Sequence, residues 1–213
     1  MSHWTIVPVR GLATGKSRLA GLLGAQERRA LNAMLLERAL DAIEGSEGDL
    51  SRCIVASAGA DALALALERG ALPLPDAGES GLNAALEAAR DAARAKGASS
   101  LLVLAGDLPD ANRDALYRLR DRTPRGGAAI IADKLGSGTN GLLLPADCAV
   151  KFAFGEGSLA RHRDAIEATG VKVTIWSDPA LSFDIDSPAD YREWQSRLGH
   201  VSAGEVGTDS IRQ

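Results

Sequence analysis

The sequence predicts an α/β fold, a mostly parallel sheet with helices on both faces. Three observations carry this expectation. Short apolar runs alternate with Ala/Leu-rich stretches of helical period along the chain. Residues 100–105, SLLVLA, are apolar throughout, the pattern of a central strand buried on both faces. Glycines at 70, 97 and 170 follow the helical stretches, where a left-handed residue ends a helix cheaply. Strand–helix alternation of this kind builds right-handed βαβ units.

Read in order, strands are expected at residues 4–9, 52–57, 72–74, 100–105, 128–132, 141–144 and 171–176. Helices are expected at 26–44, 60–69, 82–95, 112–122, 158–169 and 187–198. In the first helix Leu31, Met34, Leu35 and Ala39 recur at helical spacing. In the last, Ser187 and Pro188 suit the cap and first turn. One domain is expected over residues 1–198, with 199–213, rich in Gly, Ser and Asp, a weakly ordered tail.

The 213 residues carry a formal net charge of −4, and 46% are hydrophobic. No broad basic field is available for nucleic acid or an anionic membrane, so anions must be held in a local pocket. Neither a signal-peptide pattern nor a long apolar stretch is present, and a cytoplasmic location is expected. Cys53 and Cys148 are expected as free thiols, with Cys53 a small buried hydrophobe. The oligomeric state stays open, a homodimer included.

The first strand runs into Pro8-Val9-Arg10-Gly11-Leu12-Ala13-Thr14-Gly15-Lys16-Ser17-Arg18. Glycines that let backbone amides approach, with Arg10, Lys16 and Arg18 to neutralise charge, suit a polyphosphate. Gly15-Lys16-Ser17 is not a P-loop: GxxxxGK[ST] needs glycine at position 10, and Arg10 stands there.

Asp107 emerges from the buried 100–105 strand, at the edge where open α/β sheets bind ligands. It suits a cation held against phosphate, or equally a turn or helix cap. In Phe183-Asp184-Ile185-Asp186 the acids stand at i and i+2, so an extended chain points both to one side. A shared Mg²⁺ would relieve their repulsion.

Gly136-Ser137-Gly138-Thr139-Asn140-Gly141 reads as a hairpin loop or as a second anion cradle. Phe154-Gly155-Glu156-Gly157-Ser158 opens a helix, with Ser158 a cap or part of an anion site. His162 shares that helical face, facing a ligand or simply packed. In Ser80-Gly81-Leu82-Asn83, Asn83 offers the donor and acceptor that base recognition needs, or caps a helix.

Taken together, PVRGLATGKSRLA, ESGLNAAL, LAGDLP, GSGTNGLLL, FGEGS and FDIDSPAD, in that order, resemble the guanylyltransferases of deazaflavin coenzyme F-420 biosynthesis. Those enzymes act on 2-phospho-L-lactate, phosphoenolpyruvate or 3-phospho-D-glycerate. The resemblance implies a nucleotidyltransferase fold of the glycosyltransferase-A, Rossmann-like type. It implies attack by the acceptor phosphate on the α-phosphorus of GTP, with pyrophosphate leaving.

It also implies Asp107, Asp184 and Asp186 as ligands of Mg²⁺, and Thr139, Gly155 and Ser158 as acceptor-binding positions. Arg10, Gly11, Lys16, Arg18 and Asn83 are expected at GTP, with Asp107, Lys16 and Arg10 closest to the chemistry. A nucleotidyltransferase using another base or acceptor, and a non-catalytic nucleotide-binding protein on the same fold, remain as alternatives.

Overall fold

The computed structural model describes residues 2–76 and 81–204. Seven strands form one sheet: β1 (His3–Val9), β2 (Cys53–Ser57), β3 (Leu72–Pro75), β4 (Ser100–Leu104), β5 (Ala128–Ala132), β6 (Thr139–Pro145) and β7 (Val173–Trp176). The helices are α1 (Ala25–Glu47), α2 (Ala60–Glu68), α3 (Gly81–Ala95), α4 (Arg113–Arg122), α5 (Ser158–Glu167), α6 (Pro179–Ser182) and α7 (Pro188–Gly204). The sheet order is β3-β2-β1-β4-β6-β5-β7. The pairs β3/β2, β2/β1, β1/β4 and β5/β7 are parallel, and β6 runs antiparallel to both β4 and β5. The mostly parallel α/β sheet expected from the sequence is therefore present.

Strand alternation sorts the core onto two faces. Val7, Val55, Leu102 and Leu104 pack with Leu36, Leu40 and Ile43 of α1 and Leu116 of α4. Ile6, Ile54, Leu101 and Val103 pack on the other side with Leu86 and Ala89 of α3 and Ile166 of α5. Leu101 to Leu104 are at most 1% exposed, which is why β4 reads as a continuous apolar run. Both cysteines are buried and free. No described helix is long and apolar enough to cross a membrane.

Topology brings distant segments to one edge. The parallel strands β1, β2, β3 and β4 all end there. Because β6 runs the other way, its first residue, Thr139, lies at that edge too. A third apolar cluster of Leu19, Leu23, Leu31, Leu35, Phe183, Ile185 and Trp194 fastens the turn after the first loop to the FDID segment and α7.

Some elements differ from expectation. α1 runs on to Glu47, and Gly48 ends it in the left-handed conformation at φ 91°. The short α6 was not expected; Asp178 caps it by accepting the Ala180 N–H at 3.0 Å. Gly157, at φ 66°, takes the cap position of α5, and Ser158 is the first helical residue. α7 continues to Gly204, past the end expected at Leu198. Residues 205–213 of the expected tail, and Glu79 and Ser80 of the ESGLNAAL motif, lie outside the described residues.

Candidate functional site

Two clusters meet at this sheet edge. The first is charged. Asp107 follows β4, and Asp184 and Asp186 follow α6. Each of the three offers a carboxylate oxygen, and these oxygens lie within 4.8 Å of one another. The two acidic stretches are stapled by a backbone bond from Ile185 N–H to the Asp107 carbonyl at 3.3 Å. Phe183 and Ile185 are buried, so the alternation turns Asp184 and Asp186 away from the core, as the i, i+2 spacing predicts. Asp190 holds the end of this stretch, accepting the N–H groups of Asp186 and Ser187 at 3.1 and 2.7 Å. Asn112, not Asp107, caps α4 through the Ala115 N–H.

Lys16 reaches into the acids. Its Nζ donates to Asp107 Oδ2 at 2.6 Å and to Asp186 Oδ1 at 3.1 Å. Arg18 lies 3.7 Å from Asp186 Oδ2. Among the described residues Lys16 is the one non-glycine with positive φ, at 55°. That backbone costs about 1 kcal/mol for an L-residue. The loop tolerates it because its neighbours fix it. Asp61 accepts the Leu12 N–H at 3.2 Å, and Asn32 donates to the Leu12 carbonyl at 2.7 Å. Gly11 is packed so closely on Gly59 that a Cβ on Gly59 would come within 2.6 Å of the Gly11 Cα. Arg10 and Arg18 are exposed.

The electrostatics follow from this crowding. Burial alone would lower the Lys16 ammonium, but Asp107 and Asp186 outweigh it and hold it above its ordinary value. Asp184 moves the other way. Burial and the like charges of Asp107 and Asp186 push it up to about 6. One lysine does not balance three carboxylates, and Asp184 carries the strain. A set of hard oxygen donors carrying surplus negative charge fits a divalent cation.

The second cluster is nearly neutral. His162, fully buried, accepts the Ala153 N–H at Nε2 (2.9 Å) and meets Thr139 Oγ1 at Nδ1 (3.1 Å). The Phe154 ring stands edge-on to it, with centroids 4.8 Å apart. Burial, then the charge of Arg161, lowers His162 to about 4. Gly155, at φ 124°, and buried Ser158 complete the turn. Arg161 lies beside this turn and donates to the Ala153 carbonyl at 3.0 Å. Asn140 joins the two clusters, donating to the Leu181 carbonyl at 3.1 Å and lying 3.5 Å from Asp184 Oδ1.

Asn83 requires a correction. Its amide does not present a free edge for a base. Oδ1 accepts the Phe154 N–H at 2.8 Å and Nδ2 donates to the Phe154 carbonyl at 3.2 Å, so it braces the loop that carries Phe154 and Gly155. Glu87 adds a second brace at the Phe152 N–H, 2.9 Å. The Gly136–Gly138 turn closes a hairpin, its Ser137 N–H held by Asp133 Oδ1 at 2.9 Å; of that motif, Thr139 and Asn140 reach the site. Arg161 was not among the sequence candidates, and for His162 the sequence left open whether it faces a ligand or simply packs. The spacing of Ser158 and His162 put the histidine on the right face, but nothing local named Thr139 as its partner.

Comparisons with known proteins agree with this picture. A family model described as guanylyl transferase CofC like matches residues 3–196. The chain is 36% identical over 210 residues to the phosphoenolpyruvate guanylyltransferase of Sphaerobacter thermophilus, covering 99% of each. It is 39% identical over 200 residues to the one from Rubrobacter xylanophilus, covering 93% of this chain and 96% of that protein. Among solved structures, a nucleotidyl transferase from Methanothermobacter thermautotroptrophicus superimposes with a TM-score of 0.68 at 17% identity, covering 94% of this chain and 99% of that one. The 4-diphosphocytidyl-2C-methyl-D-erythritol synthase of Anaerococcus prevotii gives 0.63 at 11%, covering 93% and 96%. These last two speak for the fold alone.

Proposed function

The chain belongs to the CofC-like guanylyl transferase family, and from that premise we propose that it transfers GMP from GTP to the phosphate of phosphoenolpyruvate, releasing pyrophosphate, in the assembly of deazaflavin coenzyme F-420. The names of the relatives support this choice among three-carbon acceptors. The observation that carries the chemistry is the triad of acids within 4.8 Å of one another, met by Lys16.

In this reading Asp107, Asp184 and Asp186 hold Mg²⁺. When bound, the ion supplies charge neutralisation and polarises a phosphoryl oxygen. The remaining work belongs to the chain. Gly11 lets the loop approach the triphosphate, while Arg10, Lys16 and Arg18 oppose the charge that gathers on departing pyrophosphate. Thr139, Gly155 and Ser158 hold the acceptor, with Asn83 and His162 fixing the loop that carries Gly155. One acceptor oxygen bonds to the α-phosphorus as the bond from that phosphorus to the bridging β-oxygen breaks. The attacking oxygen is already anionic at neutral pH, so catalysis rests on alignment and charge rather than proton transfer.

With Asn83 engaged elsewhere, the cleft between α3 and the ends of β2 and β3 takes the base. It holds about 270 Å³ and is lined by Ala56, Leu74, Asp76, Ala84 and Ala88. The catalytic unit is residues 1–198, acting in the cytoplasm. A homodimer is compatible with the reading, and light scattering decides it.

The test is pyrophosphate release from GTP and Mg²⁺ with phosphoenolpyruvate, 2-phospholactate and 3-phosphoglycerate side by side. The expected result is the highest kcat/KM with phosphoenolpyruvate. Faster turnover of another acid would reassign the acceptor, and no release with any of them would overturn guanylyl transfer here.

A further inference from the structure

We propose that His162 is a positioning residue that makes the Thr139 hydroxyl a one-way hydrogen-bond donor, aimed at the anionic oxygen of the acceptor. The inference rests on the reading of Thr139, Gly155 and Ser158 as the acceptor site, and it goes beyond that reading in assigning a direction to the hydrogen bond.

The direction follows from proton counting. A backbone N–H only donates, so the Ala153 N–H at 2.9 Å fixes Nε2 of His162 as an acceptor. A neutral imidazole with Nε2 unprotonated carries its proton on Nδ1. Burial beside Arg161 keeps the ring neutral near pH 7. Nδ1–H therefore donates to Thr139 Oγ1 at 3.1 Å. With that oxygen accepting from His162, its own proton is turned outward. A phosphate or carboxylate oxygen accepts and never donates, so a hydroxyl locked as donor suits an anion better than one free to rotate.

The arrangement is held from several sides. His162 is 0% exposed, Phe154 packs edge-on to its ring, and Asn83 grips both backbone polar groups of Phe154. Thr139, the first residue of β6, is half-buried, and the histidine ties its hydroxyl to α5. The ring thus connects the Thr139 hydroxyl and the turn bearing Gly155 and Ser158 through one side chain.

The two ring nitrogens can be separated by substitution. Gln places its amide near Nε2 and keeps a partner for the Ala153 N–H, but leaves Thr139 without its donor. Asn places its amide near Nδ1 and keeps that donor. Steady-state kinetics of the full chain with Mg²⁺, GTP and phosphoenolpyruvate, with thermal melting as a check on folding, compares H162Q, H162N, T139V and the double variant T139V/H162Q. The expected result is an acceptor KM raised about tenfold or more in H162Q and T139V, with the GTP KM within about twofold of wild type. The double variant should be no worse than T139V alone, because the histidine acts through that hydroxyl.

Additive losses in the double variant, or equal rises in both KM values for H162Q, would overturn the proposal. A normal acceptor KM in T139V would instead remove Thr139 from the acceptor site, and the parent reading with it. If H162Q does not fold, H162N carries the test. An acceptor KM within about threefold of wild type supports the Nδ1 link, and a rise of about tenfold or more overturns it.

Discussion

The two halves of the site solve opposite problems. Around Asp107, Asp184, Asp186 and Lys16, formal charges are crowded together and partly shielded from water. Around Thr139, His162, Gly155 and Ser158 the anchoring groups are a hydroxyl, backbone amides and a histidine kept neutral by burial. In the proposed reading the charged half tunes the energy of phosphates whose charge shifts during reaction. In the same reading the neutral half holds the acceptor, and there directional hydrogen bonds serve better than ions that would need desolvation. Substitutions should therefore divide sharply: kcat losses on one side and acceptor KM losses on the other.

The largest expected effect is at Asp107. Asp107→Asn should reduce kcat by about a thousandfold or more at unchanged melting temperature, because in the proposed reading it holds the metal at the reacting groups and lies outside the core. Stopped-flow or coupled pyrophosphate assays measure this, and near-normal turnover would take Asp107 out of the metal site. Lys16→Ala should follow, lowering kcat by about a hundredfold. Ser158→Ala belongs to the other half. Its expected signature is an acceptor KM higher by about tenfold with GTP affinity preserved. A change in GTP affinity instead would mean the two subsites are interchanged.

The smallest effect concerns stability and pH. Asp184 is raised to about 6, so in the folded protein it prefers the protonated form. Its contribution is favourable below its unfolded value near 4 and is lost as pH rises through about 6. Without divalent cation, wild type should melt at a lower temperature at pH 8 than Asp184→Asn, with the gap closing at pH 5. Added Mg²⁺ should raise the melting temperature of wild type at pH 8 more than that of the variant. Calorimetry at the two pH values decides this, and a gap that widens on acidification would contradict the burial and repulsion assigned to Asp184.

The charged half was the more legible in sequence, for a physical reason. Asp184 and Asp186 declare themselves because Phe183 and Ile185, which alternate with them, are buried, and period-two alternation is a local property. Asp107 declares itself by ending the apolar run of β4. What was hidden depended on partners far along the chain. The Asn83 amide looks like a base reader until Phe154, 71 positions away, is found against it. His162 shows its helical face but not Thr139. Gly106 is similar: a Cβ there would lie 3.1 Å from Val9 Cγ2 and 3.2 Å from Val7 Cγ1, a constraint written in the β1/β4 packing rather than nearby. The left-handed Lys16 leaves no mark in residue type, since its conformation is imposed by the bonds to Leu12 and the pull of two acids.

The central claim is that acids from two distant stretches share one divalent cation at the nucleotide. It is tested most directly by anomalous diffraction from crystals grown with Mn²⁺ and a non-hydrolysable GTP analogue. The expected map has a peak about 2.2 Å from oxygens of Asp107, Asp184 and Asp186 and from the α-phosphate. A nucleotide bound with its metal away from these carboxylates would contradict the account.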